Sequence, residues 1–281
     1  QPNAMGGREV GGLANQLAAH MGFTPAEVDR VGRFWGTDKV ATAPGLLAVD
    51  LFDAIDEGKV KAVWIMATNP VVSLPEADKV KRALGKCDLV VVSDCVAGTD
   101  TGQLADVLLP ARGWSEKQGT VTNSERRISL QPALKEAAGE ARDDWWAMAE
   151  VAKRMGWQEA FDYASAYEVF IEHAHLSGFE NGSQKGAESA SSRAFDISAL
   201  ANLTEEQYLT LEPVQWPIRE KPTRGVAPFT GTPRMFTDGR FYTPSGKAQF
   251  IAIEPRGPVA GNSGQWPYTL NTGRIRDQWH T

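Results

Sequence analysis

Two short, almost uncharged runs rich in Val, Ile and Trp, residues 61–67 and 88–93, flank a stretch patterned as a helix, residues 75–84. Apolar runs of this length bounded by turn formers are expected to be strands buried on both faces. Two strands joined through a helix are expected to lie parallel, because an antiparallel pair needs only a hairpin. A third short strand is expected at 106–109, after a Gly/Thr loop. Ahead of the first strand, residues 46–57 place Leu47, Leu51, Ala54 and Ile55 on one helical face, with Gly58 placed to end the helix. Residues 143–155 open on two acids, repeat apolar residues three or four apart and stop at Gly156. The pattern predicts the α/β class: a parallel, doubly wound (Rossmann-like) sheet with helices on both faces. Ligands of such sheets sit at the carboxyl ends of the strands, which puts Asn69, Ser93 and Asp94 where a ligand would lie.

The flanks read differently. Thr24, Pro25 and Glu27 form a capping pattern that predicts a helix over 25–35. Residues 167–176 are helical in pattern, 181–193 form a Gly/Ser-rich stretch expected to be a mobile surface loop, and 204–207 hold another capping box. Prolines scattered through 213–264 predict irregular α+β packing. Residues 265–271 are expected to open a strand of a further domain, a β-barrel continuing past Thr281. The resulting division is 1–38, a glycine-rich segment with its connecting helix; 39–160, an α/β dinucleotide-binding domain; 161–260, an irregular segment; and 261–281, the start of a truncated β domain. The chain begins at Gln1 rather than Met and is read as a piece of a longer protein.

Acidic side chains outnumber basic ones by 35 to 29 over 281 residues, a net charge of −6, which argues against a nucleic-acid partner. No apolar run reaches the ~18 residues of a membrane helix, so no membrane association is expected. Cys87 and Cys95 are too few for a disulfide framework and lack metal-ligand spacing; both are read as structural, and the setting as cytoplasmic. His173 and His175 are two apart on an expected helix and face different ways, so they do not chelate one metal; no metal ligand is assigned. No GxGxxG or GxxxxGK[ST] loop follows a predicted strand.

Several strings admit both a chemical and a plain reading. Asp94 can accept from the adjacent N–H donors of a guanine or from a ribose, or simply cap a turn. Asn69 before Pro70 can be a turn former alone. Residues 114–127, WSEKQGTVTNSERR, form either a solvated loop or an anion cradle around Lys117. At the amino end, QPNAMGGREVGG surrounds Arg8 and Glu9 with glycines: close backbone approach to a bulky ligand with an arginine fork for an oxyanion, or a connector. TGRIRDQWHT at 272–281 is open in the same way.

Taken in order along the chain, residues 1–12, Asn69-Pro70, Ser93-Asp94, 105–110, 114–127 and 272–281 resemble the molybdenum oxidoreductases of the dimethyl sulfoxide reductase superfamily. Within it they look most like the catalytic subunits of prokaryotic, assimilatory nitrate reductases. The resemblance implies a Mo bis(molybdopterin guanine dinucleotide) centre, reduction of nitrate to nitrite by oxygen-atom transfer, and electrons arriving through an iron-sulfur cluster whose cysteines lie upstream of Gln1. It also implies an electron donor such as ferredoxin, flavodoxin or an NADH-linked reductase subunit, and inactivity of this piece alone. It places Gln1, Met5, Arg8 and Glu9 on the substrate side, with Arg8 orienting the anion. It places Gln1, Asn69, Ser93, Asp94, Lys117 and Asp144 around the cofactor, with Thr272, Gly273, Arg274, Trp279, His280 and Thr281 at the pterin. The alternatives are another superfamily oxidoreductase, acting on formate or another oxyanion, and a cofactor-free structural homologue.

Overall fold

The computed structural model describes residues 3–181, 192–219, 229–258 and 261–269. The chain opens with a short helix, α1 (Ala4–Glu9), built on the glycine-rich string. Next comes α2 (Pro25–Trp35), where Thr24 and Glu27 form the expected capping box and Gly36 closes the helix with a positive φ. Helix α3 (Ala48–Asp56) leads into β1 (Ala62–Met66). After a single turn, α4 (Pro70–Ser73), comes α5 (Ala77–Leu84). It starts two residues later than expected because Glu76 adopts a left-handed conformation ahead of it. Strands β2 (Leu89–Asp94) and β3 (Val107–Pro110) complete a three-stranded parallel sheet in the order β1-β2-β3.

One face of this sheet is apolar. Ile65, Val90 and Val92 pack with Phe52 and Ile55 of α3 and Val80, Ala83 and Leu84 of α5. Alternation along the strands turns Trp64 and Ser93 to the opposite face, where the Trp64 indole N–H donates to Ser93 Oγ at 2.8 Å. Asp106 closes the sheet's lower end by accepting from the Val90 amide at 2.7 Å.

The next two strands, β4 (Gly119–Thr122) and β5 (Arg127–Gln131), form an antiparallel hairpin in and beyond the stretch 114–127 that the sequence leaves open between a solvated loop and an anion cradle. The turn is closed by Asn123, whose Oδ1 accepts from the amides of Glu125 and Arg127 at 2.9 and 3.1 Å. Helix α6 (Asp144–Arg154), α7 (Ala166–Gly178) and the short α8 (Glu205–Leu209) follow. Finally β6 (Val214–Gln215) pairs with β5. Residues 119–131 fall inside the 39–160 span of the expected dinucleotide-binding domain, yet they sheet with 214–215. Their inward side chain Ile128 joins a second core made of Met21, Val31, Phe170, Ala174, Phe195, Tyr208 and Trp216.

Of the loop expected over 181–193, residues 182–191 lie outside the described residues. Its ends are not surface chain: Asn181 and Arg193 are buried, and the Arg193 amide donates to Asn181 Oδ1 at 2.7 Å. The Arg193 guanidinium donates to the carbonyls of Ser177 and Phe179 at the end of α7. Of the strand expected over 265–271, residues 265–269 carry bends and no strand pairing, and 270–281 lie outside the described residues. No closed barrel occurs among the described residues.

Candidate functional site

Where β1 ends, Ala67 takes a φ of 53°, an uncommon value for a residue with a side chain, while its amide still donates to the Ser93 carbonyl at 3.0 Å. The bend delivers Asn69 to the carboxyl edge of the sheet. Asn69 Oδ1 accepts from the amide and hydroxyl of the fully buried Thr101 at 3.2 and 2.6 Å. The Thr101 hydroxyl in turn accepts from the Val71 amide. The oxygen of Asn69 is thus committed to fixing the loop after β2, and what it keeps for a ligand is its NH2 group. At the end of β2, Ser93 is 2% exposed. Its neighbour Asp94 is half-buried and uses Oδ1 to accept from the Val96 amide at 3.0 Å, leaving Oδ2 without a hydrogen-bond partner among the described residues.

Beside these tips lies a cavity of about 400 Å³, lined by Ser93, Pro110, Arg142, Asp144 and Trp146 among others. That volume is in the range that holds a nucleotide-sized ligand. It forms because β3 runs on through Ala111, which bridges Arg142, so that α6 starts beside the strand ends. The floor is charged. Arg112 donates to Asp143 at 2.7 Å; burial pushes the Asp143 carboxyl up, and Arg112 and Lys117 pull it back in part. Arg142 lies 5.8 Å over the Trp146 ring. Asp144, the first residue of α6, stands 3.8 Å from the Lys117 ammonium through Oδ2, while its buried Oδ1 has no hydrogen-bond partner among the described residues. A buried carboxylate oxygen without a donor is costly and suits a ligand that brings N–H groups. The positive charges of Arg142 in the lining and of Lys117 beside Asp144 suit its phosphates. These groups fit a ligand that brings both N–H or O–H donors and phosphates, as a nucleotide does.

A second group of candidates sits on α1. Glu9 is 4% exposed and both its oxygens are taken. Trp216 Nε1–H donates to Oε1 at 2.6 Å and the Thr122 hydroxyl to Oε2 at 2.8 Å. Burial raises its carboxyl from the ordinary 4.5 to about 7, against the lowering effect of those two donors. The Thr122 amide donates to Asn3 Oδ1 at 2.9 Å, so both ends of α1 are pinned to one residue of β4. Met5 packs against the second core, and Arg8 is exposed beside Glu9.

The structure places Asn69, Ser93 and Asp94 at the carboxyl ends of β1 and β2 and sets Lys117 beside Asp144; of these five, Ser93 and Asp144 line the cavity, and Met5, Arg8 and Glu9 are grouped separately on α1. The stretch 117–122 joins the two groups: the five steps between these six residues span at most roughly 17 Å. Within 114–127, only Lys117 belongs to the strand-end group. Arg126 instead donates to the carbonyls of Trp216, Thr232 and Pro233, and the Arg127 guanidinium to the Pro213 carbonyl and the side-chain oxygen of Gln215. Gln1 and the set Thr272, Gly273, Arg274, Trp279, His280 and Thr281 lie outside the described residues. Among the described residues no three His, Cys, Asp or Glu side chains gather as a metal site, and Cys87 and Cys95 are free thiols, Cys95 exposed. Sequence reading missed Thr101, Arg142 and Trp146. The last two were findable, because a helix that follows a parallel strand begins at the ligand edge.

No helix among the described residues is long and apolar enough to cross a membrane. Comparison with known proteins matches the molybdopterin oxidoreductase family over residues 4–154. The chain is 51% identical over its full length to a nitrate reductase of Klebsiella oxytoca, covering 30% of that protein. It is 48% identical to a nitrate reductase of Shewanella frigidimarina, covering 29% of it. It is also 32% identical to the alpha subunit of an F420-dependent formate dehydrogenase of Methanococcus maripaludis, covering 37% of it. The chain therefore spans about a third of the length of these relatives. With a family match over more than half its length, the chain belongs to the molybdopterin oxidoreductase family.

Proposed function

We propose that this chain is part of an assimilatory, cytoplasmic nitrate reductase, and that its strand-end residues hold one guanine dinucleotide of a Mo bis(molybdopterin guanine dinucleotide) cofactor. The observation that supports the reading is Asp144, held beside Lys117, whose buried Oδ1 has no partner among the described residues and lies in a nucleotide-sized cavity shared with Ser93 at the strand ends that also carry Asn69 and Asp94. Asp144 and Asp94 accept from the base or ribose, Asn69 donates through its NH2 group, and Lys117 offsets phosphate charge. The cofactor, when bound, supplies the two-electron oxygen-atom chemistry that converts nitrate and two protons to nitrite and water. Arg8 orients the anion and offsets its charge. Electrons enter through an iron-sulfur cluster outside this span, from a ferredoxin, flavodoxin or NADH-linked donor.

Nitrate is favoured over formate because the nitrate reductase relatives are about half identical to the chain and the formate dehydrogenase about a third. The test is an assay of the whole enzyme with nitrate and with formate, alongside its Arg8→Ala variant. The reading expects nitrate turnover, with a raised nitrate KM or a strongly cut kcat in the variant at unchanged molybdenum content. Turnover of formate alone, or unchanged kinetics in Arg8→Ala, would contradict it.

A further inference from the structure

Helix α1 is a poor helix by its own sequence. Its six residues, AMGGRE, include two adjacent glycines, its N-cap Asn3 makes no side-chain cap bond, and no acid lies in its first turn. What holds it is tertiary. Asn3 and Glu9, at its two ends, both bond Thr122, and Glu9 also bonds the Trp216 indole. Three stretches far apart in sequence meet on one carboxyl group, and the residue beside that group is Arg8.

We infer that Glu9 is a positioning residue: it clamps α1 between Thr122 and Trp216 and so fixes the place from which Arg8 meets the substrate oxyanion. The inference rests on the reading of Arg8 given above. Glu9 is enclosed, with its oxygens spent on two protein donors, so it reaches substrate only through the backbone it anchors. The clamp does not depend on charge. Protonated on Oε2, the carboxyl donates to the Thr122 hydroxyl, which can equally accept, while Oε1 still accepts from the Trp216 N–H, which can only donate. A glutamine in the same place makes both bonds, through its carbonyl to Trp216 and its NH2 to Thr122.

This gives a test that separates positioning from proton transfer. In the whole holoenzyme, Glu9→Gln should keep nitrate KM and kcat within about twofold, whereas Glu9→Ala should raise nitrate KM by about tenfold or more, the cost expected of an ångström-scale misplacement. Nitrate affinity measured by calorimetry should follow KM, and molybdenum content should stay unchanged. Thr122→Val and Trp216→Phe each remove one bond and should raise KM in the same direction. They answer the question also if Glu9→Ala does not fold. Unchanged KM in Glu9→Ala, or in both partner variants, overturns the inference. So does a large fall in kcat for Glu9→Gln at constant KM, which marks a proton donor. A wild-type enzyme that does not reduce nitrate refutes the functional reading itself, and is told apart from these outcomes by the wild-type control.

Discussion

Replacing Glu9 by glutamine should change how the stability of the chain responds to pH, and the change can be worked from the structure. The carboxyl titrates near its ordinary 4.5 when unfolded and at about 7 when folded, because burial disfavours its charge. The folded chain therefore holds a proton that the unfolded chain has already released. Its contribution is fully present below the unfolded value and is lost as pH rises through the folded one. At 1.36 kcal/mol per tenfold change, the wild type should lose roughly 2–3 kcal/mol from this group between about pH 5 and pH 8. Glu9→Gln keeps the two bonds and has no proton to lose, so it should show no such fall from this site. Urea unfolding of both proteins across that range measures it. Other titrations, including the lowered His20 and His173, which act in the opposite direction, cancel in the difference between the two proteins. A difference that stays constant with pH would refute the reasoning, because it would mean that the folded carboxyl titrates where the unfolded one does.

His173 stacks on Phe195 with centroids 5.3 Å apart, and burial lowers its imidazole to about 4. Ring resonances in NMR should therefore report it neutral down to about pH 5, and a charged form there would contradict the packing. Tyr208 is fully buried against Phe170 and Tyr167, and its hydroxyl has no hydrogen-bond partner among the described residues. Tyr208→Phe keeps the ring contacts and should leave stability unchanged or raise it by up to about 1 kcal/mol in urea unfolding; a clear loss would reveal a partner for the hydroxyl. Ile55 is fully buried in the core beneath the parallel sheet. Ile55→Ala should cost about 2–5 kcal/mol, and a loss below about 1 kcal/mol would show that the α3 contact contributes little.

The parallel sheet was legible because its strands carry their own signal. Each is a short apolar run ended by turn formers, and the helices between them show caps and one-sided apolar spacing that need no distant partner. Thr24, Glu27 and Gly36 fix both ends of α2 within a dozen residues. The strand-end candidates followed from that topology, since Asn69, Ser93 and Asp94 are the residues at the carboxyl tips. The second half was not legible for the opposite reason. The β4–β5 hairpin is polar along much of its length and closes through the Asn123 side chain, and its arginines are spent on carbonyls about 90 residues away or more. Helix α1 likewise depends on Thr122 and Trp216, the latter 207 residues from Glu9. A glycine-rich string gives no local hint that such partners exist.

Guanine and molybdenum analysis of the purified whole enzyme tests the central claim most directly, when the wild type is compared with Asp144→Ala and with Asn69→Ala. The account predicts two guanine nucleotides per molybdenum released from the wild type, and loss of guanine and of molybdenum in both variants while the protein remains folded. Full cofactor content in both variants, or a wild type that carries no guanine, would contradict it.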